Sequence, residues 1–210
     1  MSKQIQRNEE IYVAPKMLGK YEGQTPVVID EGNSNDRLDP TNIDHKIKIY
    51  EREVKGWFLG PAKSLLNQNS FNNSFLVLMV CMAYLEGVEQ YKTGIESNRR
   101  SKKCFVDSVK RMYPDKFRDE DLNKLYIKSR CVLFHNGMVK GGVIFNNLYV
   151  DVVRFEQNGE VIRINPQKLL RDVENDFDRY ISELKNTNNI RRDENSRTAR
   201  ENFDRMFSVL

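Results

Sequence analysis

The 210 residues are 39% hydrophobic and 30% charged, with a formal charge of +4 and a pI near 8.9. A chain of this length buries one sizeable core and reads as one soluble globular unit, and so mild a positive balance permits a nucleic-acid partner without demanding one. Cys81, Cys104 and Cys131 are odd in number and lack CxxC spacing, which speaks against a disulfide framework and for buried thiols in a reduced, cytoplasmic setting.

Residues 1–45 open without the apolar stretch of a secretory signal. Short apolar pieces, Ile11 to Val13 and Pro26 to Ile29, alternate with Gly19, Gly23, Gly32, Pro15 and Pro40. The pattern predicts an extended, strand-like and partly mobile N-terminal arm. His45 at its end has no ligand or base spaced around it and reads as a surface or capping histidine. A helical domain is expected over 46–185. Ile47 to Gly56 begins a helix, Trp57-Phe58-Leu59 anchors it, and Gly60-Pro61 breaks it before a second helix to about Gln68. Asn72, Asn73 and Ser74 offer N-caps to a central buried helix from Phe75 to Tyr91. Its apolar run, Phe75 to Leu85, is well short of the roughly 20 residues of a membrane span. Glu86, near the end of this helix, reads either as a surface acid or as a carboxylate that orients a neighbouring Arg or His.

Arg99, Arg100, Lys102 and Lys103 follow in a polar connection, either a solvated loop or phosphate contacts. A short helix, Phe105 to Met112, leads into a segment rich in positive charge. Between Ser97 and Arg130 stand eleven basic and five acidic residues, the region expected to face an anion. After Gly141-Gly142 the period changes. Val143 to Phe145, Leu148 to Phe155 and Val161 to Ile164 predict strands, with Asn158-Gly159 as a hairpin turn. Asn165-Pro166 caps a long amphipathic helix through Leu184. A charged linker then leads, within 186–210, to a terminal helix with Ala199, Phe203, Met206, Phe207 and Leu210 on one face, suited to docking on the same chain or on a partner.

The stretch Leu122 to Gly142 carries the rarest chemistry. Leu122, Leu125, Tyr126, Ser129, Val132 and Leu133 recur at helical spacing after the acids Asp119 and Asp121, and Gly137 sits where a left-handed C-terminal residue belongs. Near the end of this helix lie Arg130 and His135, one of two histidines in the chain. Together they suit RNA cleavage without a metal: the histidine moves a proton near neutral pH and the arginine holds the phosphate. On an ideal helix they point about 140° apart. Convergence then needs arginine reach, an unwound last turn, or a second copy across a two-fold axis.

Ser129 to Met138, SRCVLFHNGM, resembles the R-x(4–6)-H signature of the HEPN superfamily, and the likeness extends over roughly Glu53 to Leu184. It implies a helical bundle, and with the small antiparallel hairpin or sheet read above near 148–164 the expected fold is mainly α. It also implies a homodimer joined through the motif helix, and metal-independent endoribonuclease activity that needs no cofactor. Members include toxins, antiviral defence effectors and non-catalytic RNA-binding or scaffold modules, so RNA, an antitoxin or another partner protein is expected and a membrane is not. Arg130 and His135 match the motif residues. Cys131 stands where active members often carry Asn, Asp or His, and Asn136 either adds a polar contact or caps the helix.

Overall fold

The computed structural model describes residues 5, 9–68, 71–131, 141–187 and 197–209. The chain divides into two compact units, Met1–Gly60 with Tyr91–Ile95 and Arg179–Leu210, and Pro61–Gln90 with Glu96–Asp178. These bounds cut across the segments 1–45, 46–185 and 186–210. Helices dominate, but each unit also holds a small sheet, so the fold is mixed rather than a bundle with one hairpin.

In the first unit, β1 (Ile11–Ala14), β2 (Met17–Glu22), β3 (Thr25–Asp30) and β4 (Asp36–Leu38) form an antiparallel meander. The glycines and prolines that break the sequence into short pieces make its turns. Pro15-Lys16, with Lys16 at φ 58°, joins β1 to β2, and Gly23 at φ 64° joins β2 to β3, each supplying the dihedral its tight turn requires. The strand-like reading of the arm therefore holds, and the strands belong to a sheet with a buried face that includes Val13, Met17 and Val28. Asp30, fully buried, is compensated by Arg52 at 3.3 Å, Lys48 at 3.1 Å and the Gly32 N–H. A buried carboxylate persists only with such partners.

Helix α1 (Ile43–Val54) starts on Asn42, whose side chain accepts the N–H groups of Asp44 and His45. His45, read as a surface or capping histidine, accepts the Asp39 N–H through Nδ1. No break follows. A π-helical turn, Lys55–Leu59, runs into α2 (Gly60–Asn67), and the Gly60 N–H reaches back to Lys55 O. Pro61 has no N–H and would crowd the carbonyl four residues earlier; the wider turn relieves that. Only glycine fits at 60, where a Cβ would lie 2.7 Å from Lys55 O.

The C-terminal helix docks within this same unit. Thr198 and Glu201 form a capping box at the start of the Ala199–Met206 helix. Phe203 and Phe207 are buried and pack on Tyr50 at 5.3 and 5.2 Å between ring centroids. Asn202 donates to Lys92 O at the end of α3 (Phe71–Thr93), satisfying a carbonyl left over by the helix ladder. Helix α3 starts before the residues expected to cap it. Ser74 is buried inside its first turns and accepts a hydrogen bond from Asn147.

The second unit is built on α3, α4 (Ser101–Met112), α5 (Asp119–Leu125) and α6 (Pro166–Lys185); the ends of α3 and α6 belong to the first unit. Its core includes Leu78, Met82, Phe105, Leu122, Ile162, Val173 and Phe177. The predicted cap of α6 is present: Asn165 Oδ1 accepts the Lys168 N–H at 3.0 Å. The sheet has the order β5 (Val143–Phe145), β7 (Val161–Ile164), β6 (Val153–Glu156). The hairpin β6–β7 is antiparallel as expected, whereas β5 lies parallel to β7. Its connection is longer than two residues. Gln157, Asn158 and Gly159 all have positive φ, and 148–152, the first part of the stretch read as strand, is turn, bend or irregular instead.

Candidate functional site around Arg130

Three carboxylates, Asp119, Glu120 and Asp121, occupy the first turn of α5, where the helix dipole favours negative charge. Leu122 and Leu125 are buried beneath them. From Tyr126 to Cys131 the chain continues as a π-helix. Ser129 is buried and its hydroxyl donates to Leu125 O, competing for a carbonyl of the α ladder at the point where the helix widens. Such turns recur at functional sites.

Arg130 is held from two sides. Its Nη2 lies 2.5 Å from Glu86 Oε2 on α3, and the two side chains are 20% and 12% exposed. Its guanidinium carbon also lies 5.7 Å from the centroid of the Tyr126 ring. Tyr126 packs against Phe105 at 5.4 Å. Burial above all, then the contact with Cys131, pushes the Tyr126 hydroxyl up to about 12. Cys104 on α4 belongs to the same neighbourhood. Burial raises its pKa, the charges of Glu89 and Glu86 add to the rise, and Arg100 acts against it.

The structure thus brings together Glu86, Arg130 and Cys131, and adds Tyr126, which the sequence offers only as a core aromatic. One signal was present: Tyr126 stands four residues before Arg130, the spacing of side-chain neighbours on a helix. His135 and Asn136, with the rest of 132–140, lie outside the described residues.

Much of the basic segment is paired with carboxylates of the same unit. Arg111 is bonded by two nitrogens to the buried Asp176, also contacts Glu89 and Ser108, and shares Asp176 with the Tyr84 hydroxyl. Lys110 pairs with Asp119, Arg118 with Asp121 and Lys103 with Asp107. Lys124 and Lys128 both hold Glu160, which lowers that carboxyl's pKa. Lys128 also donates to Glu160 O. Gly142 permits this close approach of chain segments, since a Cβ there would lie 2.2 Å from Glu160 O. Arg99, Arg100 and Lys102 are exposed around the start of α4 and make no ion pair among the described residues. Of the predicted phosphate contacts, these three keep their charge available.

Chemically, Arg130 is a positioned guanidinium whose charge Glu86 partly offsets. A phosphate on it competes with Glu86. Among the described residues no group of His, Cys, Asp and Glu could hold a metal ion, and no helix is long and apolar enough to cross a membrane. Comparison of the chain with protein-family models, curated proteins and solved structures found no match.

Proposed function

We propose that the chain is a metal-independent endoribonuclease of HEPN type, acting as a toxin or defence effector. The observation that carries this reading is Arg130 clamped between Glu86 and the Tyr126 ring, five residues before His135. A preorganised guanidinium costs no reorganisation when charge develops on a phosphate. In the reaction the 2′-oxygen attacks phosphorus, the bond to the 5′-oxygen breaks, and a 2′,3′-cyclic phosphate and a 5′-hydroxyl result. His135 serves as acid or base in moving the proton from the 2′-oxygen to the leaving oxygen, and Arg130 stabilises the non-bridging oxygens. The motif helices of two copies meet at a two-fold axis to complete the site.

A second reading is a non-catalytic dimeric module that binds RNA or a partner protein. The Glu86 carboxylate favours it, because it offsets the charge a phosphate needs, and so does Cys131 beside Arg130. An RNase assay in EDTA decides between them. Wild type cuts and leaves cyclic phosphate ends, while His135→Ala remains dimeric and does not cut. Intact RNA with wild type sinks the nuclease reading.

A further inference from the structure

The outer face of the β6–β7 hairpin holds an arrangement with no use in the Arg130 site. Arg154 and Arg163 are directly opposed across the two antiparallel strands. Like charges in that position destabilise a sheet. They share one carboxylate, since Glu156 Oε1 lies 3.3 Å from Arg154 and Oε2 3.1 Å from Arg163. Two guanidiniums on one carboxylate leave a net positive charge, and Arg154 is 63% exposed.

Aromatic rings lie on both sides of this pair. Along the edge strand β6 runs a cavity of about 590 Å³, lined by Phe117, Phe155, Lys116, Arg118 and Arg154, a volume within the range of about 300–1,000 Å³ typical of small-ligand sites. Phe117 and Phe155 meet edge to face at 5.5 Å and are both half-buried. Lys116 lies 5.5 Å from the Phe117 centroid and makes no ion pair among the described residues. On the other side a second cavity, about 390 Å³, is lined by Tyr149, Arg163 and again Arg154. There Arg163 stacks 5.5 Å from the Tyr149 centroid and donates to its hydroxyl. Arg154 lines both cavities, so one cation is shared between a hollow with Phe117 and Phe155 and a hollow with Tyr149. A single nucleic-acid strand, with its alternating bases and phosphates, presents the complementary arrangement, and stacking on rings beside a basic track is how proteins hold such strands.

We propose that this surface binds single-stranded nucleic acid, with a base seated against Phe117 and Phe155, a phosphate on Arg154 and Arg163, and the next base at Tyr149. Arg118 is committed to Asp121, so Lys116 supplies the further charge. Asp151 lines both cavities and opposes binding. The site does not depend on the nuclease reading, because it uses neither Arg130 nor His135.

The test is fluorescence anisotropy with a labelled 12-nucleotide oligouridylate in EDTA, on His135→Ala protein so that cleavage does not intrude. Phe117→Leu weakens binding roughly tenfold at unchanged salt dependence, since stacking of one base contributes at that level. Arg154→Gln weakens binding and reduces the salt slope by about 0.7, the value for one phosphate contact on a single strand. It also leaves the melting temperature unchanged or raised, because it removes a like-charge opposition. Asp151→Asn tightens binding. A duplex of equal length binds more weakly, its bases being stacked already. The proposal is overturned if Arg154→Gln, folded as judged by melting, binds the single strand like its parent, or if the duplex binds as tightly. Binding without cleavage by wild type sinks the nuclease reading and leaves this site standing.

Discussion

Replacing Glu86 with Gln separates a positioning role from a merely structural one. Breaking a buried ion pair by removing one partner costs about 3–5 kcal/mol. Arg130 keeps a fifth of its side-chain surface in water and the Tyr126 ring still faces it, so the expected loss is smaller, about 2–3 kcal/mol. Arg130→Met fills similar space without charge. The double variant should recover much of the loss, because it leaves no buried charge without a partner. Urea unfolding of wild type, both single variants and the double closes a cycle with a coupling of about 1–2 kcal/mol, the range for residues in contact. Loss of RNA cutting in folded Arg130→Met, with cutting retained in Glu86→Gln, assigns Arg130 to the chemistry and Glu86 to positioning. Coupling below about 0.3 kcal/mol refutes the argument, since it means that the pair does not hold the arginine in solution.

Three further perturbations test neighbouring parts. Tyr126→Phe keeps the ring under Arg130 and should abolish the tyrosinate that otherwise titrates near 12, read from the ultraviolet absorbance on alkaline titration. Glu160→Gln should lower the melting temperature at pH 7 but not at about pH 2. Lys128 and Lys124 depress the folded-state carboxyl below its ordinary value of 4.5, so its contribution is present above that value and is lost as pH falls through the lower one. Phe203→Ala should destabilise by about 3–5 kcal/mol, because the ring is fully buried against Tyr50; a loss under about 1 kcal/mol would show that the terminal helix is not docked.

Long, periodic elements were legible in the sequence. α6 and its Asn165 cap, the β6–β7 hairpin and the apolar face of the terminal helix follow from 3.6- and 2-residue repeats and from turn chemistry. Pieces of three to six residues separated by Gly and Pro were less so. Nothing local distinguishes an extended arm from a meander until β1 to β4 pair across long sequence distances. The two π turns left no periodic signal either. At Lys55–Leu59 the tell-tale is Gly60-Pro61, which reads as a break yet is absorbed by a wider turn. At Tyr126–Cys131 the widened turn shifts the helical phase as far as Arg130, the first residue of the motif.

Charge was the least legible feature, because counting cannot see pairing. Eleven basic residues between Ser97 and Arg130 suggest one surface, but folding commits Arg111, Arg118, Lys124 and Lys128 to carboxylates of their own unit. The reverse holds on the hairpin. Arg154, Glu156 and Arg163 look unremarkable in sequence, yet antiparallel register sets the two arginines opposite one another over a single acid. A like-charge pair on a short strand lowers stability, and either arginine could be relieved by a neutral side chain. Where a fold keeps such a cost beside two ring-lined cavities, a ligand that supplies the missing negative charge is the physical reason that accounts for all three features.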